Sequence, residues 1–346
     1  MSKLFDKLIK NSTLDMVSGI QDSKIYNEKD MIKTNVPMIN VALSGSVEGG
    51  LSPGVTVMAG ESRMFKSGFS LFLAAAYLKK YPDSVMLFYD VEFGTPKSYF
   101  EGFDMPMDRI IHCPLLNIEQ LKFDMSAQLD GIERGEKVII VVDSIGNMAS
   151  KKEAEDAVEG KGAQDMSRAK QLKAFFRIIT PHLTIKDIPM IVVNHVYKEQ
   201  NSMYPATVVS GGSGPFLAAD NIWIITRRAD KNTKTNKVEG YDFCINIEKS
   251  RYTKEKSKFY ISITHKGGIN RYSGLFDDAV EAKFIIQSGS WFSNVNSETG
   301  EVEGTKFYRK DIEDNSEYWE KMLQNKKFTN YIKEKYKLPT LNMSSD

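Results

Sequence analysis

The residues best placed by type and spacing to do chemistry are Gly60-Glu61-Ser62-Arg63-Met64-Phe65-Lys66-Ser67, followed by Gly68. Glycine, four residues, one further position, then Lys and Ser is the register of a phosphate-binding loop. In such a loop, backbone N–H groups at a helix start face the phosphates, and the helix dipole favours their charge. Lys66 would reach the β- and γ-phosphates, and the Ser67 hydroxyl would hold Mg2+. Phe65 stands where glycine is expected. Only some loop glycines need a positive φ; others merely keep a side chain away from the ligand. Phe65 is therefore expected to be right-handed helical, with its ring turned from the phosphates. The plainer reading is an ordinary strand-turn-helix with a surface lysine.

Phosphate chemistry needs acidic groups as well. Lys137–Val142 is an apolar run ending in Asp143, a carboxylate suited to orienting a Mg2+ shell at the carboxyl end of a sheet. Val85–Tyr89 runs into Asp90-Val91-Glu92. Glu92 or Asp90 would orient or deprotonate an attacking water, and an extended backbone would point both the same way. Spacing leaves the two even. Met190–Val193 ends in Asn194-His195, where a polar tip would contact a terminal phosphate. A lone His is more often structural.

The elements around these residues alternate. Strand-like runs at Val55–Ala59, Val85–Tyr89, Ile110–Pro114, Val138–Val142 and Met190–Val193 are separated by helical patterns after Ser67, at about 117–134 and at 164–180. This predicts an α/β fold with a mostly parallel central sheet. Ile222–Thr226, Phe243–Ile247 and Phe259–Thr264 read as antiparallel strands at the sheet edge, and a helix is expected near 316–335. The first 35 or so residues are polar, with Ser12 or Thr13 as a helix cap.

Composition excludes more than it selects. A net charge of +1 over 346 residues names no partner, so a nucleic-acid site must be local. The two cysteines, Cys113 and Cys244, form no metal-ligand or disulfide pattern. No apolar stretch has the length of a signal peptide or a membrane span. Two segments have the character of ligand loops. Gln200–Gly214 is polar and ends in Ser210-Gly211-Gly212-Ser213-Gly214. Lys151–Lys173 carries six basic and five acidic residues, which electrostatics alone does not mark as a nucleic-acid site. Arg227–Lys258 carries ten basic and five acidic residues, an excess that a solvated hairpin face would also produce.

Taken in order, these motifs resemble the RecA-type strand-exchange recombinases, most closely the UvsX-type recombinases of tailed phages. The resemblance is carried by Gly60–Ser67, Phe88–Gly94, Ile132–Lys137, Asp143–Glu153, Glu248-Lys249-Ser250-Arg251 and Lys254–Phe259. It runs from about residue 5 to about residue 290 and is weaker beyond. The long acidic tail expected of that family is not found before Asp346.

The resemblance implies a RecA-type ATPase core over 36–270, an N-terminal oligomerisation arm over 1–35 and a C-terminal α/β region over 271–346. It implies an enzyme that hydrolyses ATP with Mg2+ when bound to DNA, forms a head-to-tail helical filament on single-stranded DNA, and pairs it with homologous duplex. Glu92 resembles the water-activating glutamate, Tyr99 the aromatic that stacks on adenine, and His195 takes the place of a γ-phosphate sensor. The segments 151–168 and 196–214 resemble two DNA-binding loops, with Lys151, Lys152, Arg168, Lys198, Gly211, Gly212 and Phe216 as contacts; Phe216 would alternatively touch the next subunit. Lys249 and Arg251 resemble cations that reach a neighbour's ATP. A recombination mediator and a single-strand-binding protein are implied partners, and the cytoplasm of an infected bacterial host the implied location. Competing readings are a hexameric helicase motor on the same fold and a non-catalytic mediator. Lys66, Ser67, Glu92 and Asp143 argue against the second.

Overall fold

No residue of strand β1 (Gly54–Gly60) is exposed, and its side chains divide between two cores. Val55, Val57 and Ala59 pack into one apolar cluster and Met58 into another. The same alternation recurs in β2 (Val85–Asp90), where Leu87 and Tyr89 oppose Met86 and Phe88. It recurs in β4 (Val138–Asp143), where Ile140 and Val142 oppose Ile139 and Val141. A strand that buries both faces belongs inside a sheet covered on both sides. The computed structural model describes residues 2–25, 29–160, 167–198, 207–231 and 235–339.

Among these residues the main sheet has nine strands in the order β11-β10-β9-β8-β1-β5-β4-β2-β3. Here β3 is Ile110–Pro114, β5 Pro189–Asn194, β8 Asn221–Lys231, β9 Val238–Ser250, β10 Lys258–Thr264 and β11 Gly268–Ile269. A small hairpin, β6 (Val196–Lys198) and β7 (Thr207–Val209), stands apart. Strands β1 to β5 pair in parallel. The edge from β9 onward is antiparallel, as expected. Ile222–Thr226 meets the expectation on one side only: β8 runs antiparallel to β9 but parallel to β1, Gly60 against Ile225. A buried apolar run of that length reads the same in either direction.

Helix α1 (Lys3–Lys10) opens the chain and is capped by Ser2 rather than Ser12 or Thr13. Helices α2 (Pro37–Ser44) and α3 (Lys66–Lys80) lie on one face of the sheet, and α4 (Lys97–Gly102) packs on α3. On the other face are α5 (Ile118–Gly131) and α7 (Ser167–Lys186), which bury Leu121, Met125, Leu172 and Phe175. The short α6 (Lys151–Val158) and α8 (Ser213–Ala218) sit in the two expected loop regions.

The C-terminal stretch holds α9 (Leu275–Glu281), a three-stranded sheet of β12 (Ile285–Ser288), β13 (Trp291–Val295) and β14 (Val302–Phe307), and α10 (Arg309–Glu313). The expected helix near 316–335 is two, α11 (Ser316–Gln324) and α12 (Lys326–Tyr336), divided at Asn325, whose side chain caps the second. The apolar cluster crosses the expected boundary at 270 without a break: Phe276, Trp319, Phe328 and Ile332 join it with Val41 and Phe259. Backbone bonds from Lys254 to Tyr336 and from Leu338 to Tyr252 tie the two parts together.

Candidate functional site

Strand β1 delivers the chain into the loop Glu61–Phe65, and α3 begins at Lys66. No side chain caps α3, so its first N–H groups stay free to face an anion. Gly60 has to be glycine: a Cβ there would lie 2.7 Å from the Ile225 carbonyl oxygen of β8. Phe65 does not take the right-handed conformation expected of it. Its φ is +55° and Arg63 is at +64°, a region a side chain enters at a cost of about 1–2 kcal/mol. The local turn sets that angle, so glycine's absence is tolerated rather than avoided. The ring packs edge-on against Phe69 at 5.3 Å between centroids and lies 5.6 Å from Phe243. It also covers Gly68, where a Cβ would meet ring carbons at 2.4 to 2.6 Å. The glycine after Ser67 is the space that Phe65 occupies.

The carboxyl ends of β1, β2, β4 and β5 open into one cleft of about 500 Å³. Ser62 to Gly68, Glu92, Asp143 and His195 all line it. The Lys66 ammonium is buried and donates to the Glu61 carbonyl at 2.7 Å. Burial lowers its pKa, and Glu92 and Asp143 pull it back up. Burial raises the pKa of Asp143, while the hydroxyls of Ser67 and Thr95 favour its carboxylate. Thr95 donates to Asp143 Oδ2 at 3.2 Å, and Oδ1 is buried with no partner among the described residues. A buried carboxylate oxygen left unpaired is costly unless a cation or water meets it. No group of three His, Cys, Asp or Glu able to hold a metal occurs among the described residues. A cation here would take its other ligands from phosphate, water and Ser67.

Glu92 and Asp90 part company. The backbone bends at Val91 and Glu92 directly after β2, so the extended two-residue register is lost. Asp90 is buried outside the cleft, accepting from the Phe93 N–H at 2.8 Å and meeting His112 Nε2 at 3.3 Å. Glu92 enters the cleft, and its Oε1 takes His195 Nε2 at 3.0 Å, Asn147 Nδ2 at 3.1 Å and the Ser144 hydroxyl. The bond to His195 leads in holding its pKa down to about 2. At neutral pH Glu92 is a caged anion that orients a proton donor.

His195 also faces away from the cleft through its backbone. Its carbonyl accepts from Ser210 N–H at 2.9 Å, and Asn194 Nδ2 donates to the Ser210 carbonyl at 2.8 Å. Beyond them, Val196 to Lys198 pair with Thr207 to Val209. The Glu92 partner is thus one residue from the glycine-rich segment. Gly146 makes room for its ring: a Cβ there would lie 2.3 Å from His195 Cδ2.

The opposite wall belongs to β8, β9 and β10, and sequence reasoning missed it. Arg227 stacks over the Tyr241 ring at 4.2 Å, and Tyr241 lies edge-on to His265 at 5.9 Å. Phe243 and Ile263 complete that wall. The only signal was Arg227 and Tyr241 themselves, in a basic segment read by its net charge. Tyr99 stands on α4, half exposed, 6.4 Å from the Phe65 ring. Ser144, Asn147 and Thr95 were also missed, although the first two lie within the Asp143–Glu153 motif.

Lys249 and Arg251 lie away from this cleft. Lys249 pairs with Ile222 at the start of β8, and Arg251 follows β9. Phe243, on the cleft wall, is six residues earlier on the same strand, roughly 20 Å at about 3.3 Å per residue. Lys249 Nζ donates to the Phe216 carbonyl at 2.7 Å and sits 5.4 Å from its ring centre. Arg251 pairs with Asp220, which also accepts from Val55 N–H at 2.8 Å. Burial, then the Arg251 charge, lowers the Lys249 pKa. Phe216 therefore shares a surface with these two cations.

The remaining predicted contacts are scattered around the two loops. Lys151 and Lys152 are exposed in the first turn of α6, behind the capping box of Ser150 and Glu153. Lys151 lies 3.7 Å from Glu155. Arg168 is committed to the protein: its guanidinium donates to the carbonyls of Ile145, Gly146 and Met148 at 2.7 to 3.0 Å. It clamps the turn after β4. Lys198 is exposed at the end of β6, and Gly211 and Gly212 have φ of +95° and +71°. The parts of the two loops at 161–166 and 199–206 lie outside the described residues.

The chain matches known proteins along nearly all its length. The family model described as the C-terminal domain of the bacteriophage T4 recombination and repair protein matches residues 272–332. The recombination and repair protein of enterobacteria phage T4 is 44% identical over 98% of this chain and 87% of its own. RecA of Rickettsia massiliae is 25% identical over 82% of this chain and 81% of its own, and RecA of Rickettsia bellii 26% identical over 80% of each. The likeness does not fade past residue 290, since the family model covers that stretch. A cleft assembled from a phosphate loop, Glu92 and Asp143 on a RecA-like sheet, and this extent of identity, place the chain in the family of the phage T4 recombination and repair protein, a branch of the RecA-type recombinases.

Proposed function

We propose that this recombinase hydrolyses ATP with Mg2+, polymerises head to tail on single-stranded DNA, and drives homologous pairing and strand exchange with duplex. One observation carries the reading. Lys66, Ser67, Glu92 and Asp143 line one cleft at the carboxyl end of the sheet, and the two cations Lys249 and Arg251 lie at the far end. Cations that cannot serve their own cleft are suited to a neighbour's, and a head-to-tail contact whose rotation does not close makes a filament.

In the proposed site the loop amides and Lys66 bind the β- and γ-phosphates, and Ser67 with the unpaired Asp143 Oδ1 would hold Mg2+. When bound, Mg2+ neutralises charge on the β- and γ-oxygens. Glu92 positions the attacking water; its depressed pKa suits orientation rather than strong base action. Lys249 and Arg251 stabilise transferred charge in trans, as an arginine finger does. His195 joins the water-positioning carboxylate to the glycine-rich segment, so the state of the terminal phosphate would be felt at DNA.

The arm reading for residues 1–35 rests on α1, which buries no residue and leaves Leu4, Phe5 and Leu8 turned outward. We assign DNA contacts to Lys151, Lys152, Lys198 and the Gly211-Gly212 backbone, and give Arg168 a positioning role. Phe216 belongs to the subunit contact. A mediator and a single-strand-binding protein are proposed partners, and host cytoplasm the site of action. No helix among the described residues is long and apolar enough to cross a membrane.

The testing experiment is ATP turnover with and without single-stranded DNA, alongside strand exchange between a circular single strand and a linear duplex. DNA-stimulated turnover with joint-molecule formation supports the reading. Directional unwinding without exchange would mark a helicase motor, and absence of turnover a non-catalytic mediator.

A further inference from the structure

Phe65 is the one residue that breaks the phosphate-loop pattern, and its position in the molecule gives it a use. Its ring is half-buried. One side rests on Phe69 and Phe243. Another side faces Tyr99, 6.4 Å away and tilted by 46°. A second, largely apolar pocket of about 430 Å³ adjoins the phosphate cleft, and the two share Phe65, Tyr99 and Ile263 as walls.

A phosphate loop that only had to cradle phosphate would be better served by glycine here. Glycine would enter φ +55° freely and would leave Gly68 unpressed. The phenylalanine adds nothing to phosphate binding, because an apolar ring offers phosphate no donor. It does add an aromatic surface one residue from Lys66, at the corner where the phosphate cleft meets the apolar pocket. Flat, aromatic and adjacent to the phosphates is the chemistry of a nucleobase.

We propose that Phe65 is a second aromatic wall of the base site, set at an angle to Tyr99, so that a purine lying on one ring presents its edge to the other. Phe65 then determines how strongly the loop prefers a nucleotide to a bare polyphosphate. This rests on the nucleotide reading of the cleft given above.

The test compares two ligands, ATP and inorganic tripolyphosphate, each displacing a fluorescent ATP analogue from the full-length protein. The variants are Phe65→Gly, Phe65→Leu and Tyr99→Ala. Aromatic contacts of this kind are worth ~0.5–1.5 kcal/mol, or roughly two- to twelvefold in affinity. Both Phe65 variants are expected to lose ATP affinity by such a factor while tripolyphosphate affinity stays unchanged. Equal losses for both ligands would mean that the ring only shapes the loop, and no loss for either would mean that it touches no ligand; each overturns the proposal. Phe65→Leu keeps an apolar side chain over Gly68, so a folding defect confined to Phe65→Gly leaves the comparison intact. If the wild type bound ATP no better than tripolyphosphate, or Tyr99→Ala changed nothing, the base reading itself would have failed.

Discussion

The Glu92 carboxylate meets the His195 ring at 3.0 Å, joining the ends of β2 and β5 across the mouth of the cleft. His195 is the foremost cause of the low Glu92 pKa of about 2. A carboxylate with a depressed folded pKa favours folding above its unfolded pKa, and that contribution is lost as pH falls toward about 2. Its ionisation therefore sets no acid limb on turnover near the ordinary glutamate range. In His195→Ala the Glu92 pKa is expected to rise toward that range, read from its side-chain carboxyl resonance in an NMR titration. An unmoved titration would mean that Ser144 and Lys66 suffice. Glu92→Gln should still bind ATP and lose turnover by ~10²–10⁴-fold, as removal of an oriented acid-base group does. Wild-type turnover in that variant would return the role to Asp90.

Lys66→Ala should abolish hydrolysis and weaken triphosphate binding together, because its ammonium is the buried cation of the loop. Equilibrium binding of a fluorescent ATP analogue checks the first step, and phosphate release the second. Normal turnover would remove the phosphate-loop assignment.

Asp143 holds a buried carboxylate whose pKa burial raises, with one oxygen unpaired. A raised folded pKa means that stability falls as pH climbs through it, so the nucleotide-free protein carries this cost at neutral pH. Asp143→Asn should melt higher without nucleotide, by about 1–2 °C for ~1 kcal/mol in a chain of this size. It should also lose Mg2+-dependent turnover. Calorimetry at two pH values checks the sign: the gain over wild type should shrink as the pH is lowered. A lower melting point at every pH would show that Asp143 is a structural carboxylate.

Of the two lysines proposed to meet DNA in α6, Lys152 is exposed and has no ion pair among the described residues, whereas Lys151 has Glu155 nearby. Lys152→Ala should weaken single-strand binding alike for every sequence and reduce the salt slope by about 0.7, the increment for one phosphate on a single strand. Arg168→Ala should act differently. It frees three carbonyls of the turn after β4, so it should disturb ATP turnover even without DNA. Fluorescence anisotropy over a salt series, beside basal ATPase, separates the two.

Much of this cleft is legible in the sequence. Lys137 to Asp143 could only be a buried strand ending in a carboxylate, because an uninterrupted apolar run followed by a charge has few other solutions. Glu92 over Asp90 was not legible from spacing. The decision lies in the bend at Val91 and Glu92, and neither residue type advertises it. The Phe65 backbone misled for the same reason, with Gly68 as the overlooked companion that makes space for its ring. The C-terminal region was expected to be α/β, but its strands could not be placed from pattern, because β14 is exposed over five of its six residues. The break at Asn325 was hidden because helical periodicity runs through it. Arg168 was expected at DNA through the resemblance of 151–168 to a DNA-binding loop; its bonds to three carbonyls of the turn after β4 are long-range and no local pattern specifies them. The separation of Lys249 from the cleft follows from the direction of β9, which no local pattern specifies.

In the proposed filament one subunit supplies the cleft and the next supplies Lys249 and Arg251. Mixed filaments give one check: Lys249→Ala should lose DNA-stimulated turnover by ~10³-fold or more yet bind nucleotide, and should regain activity when blended with Lys66→Ala. The most direct measurement is cryo-electron microscopy of the protein on single-stranded DNA with a non-hydrolysable ATP analogue. The expected result is a helical filament in which Lys249 and Arg251 of one subunit lie within hydrogen-bonding distance of phosphates held by Lys66 of its neighbour. Closed rings, or a filament in which both cations remain on Phe216 and Asp220 of their own chain with no phosphate near, would contradict it.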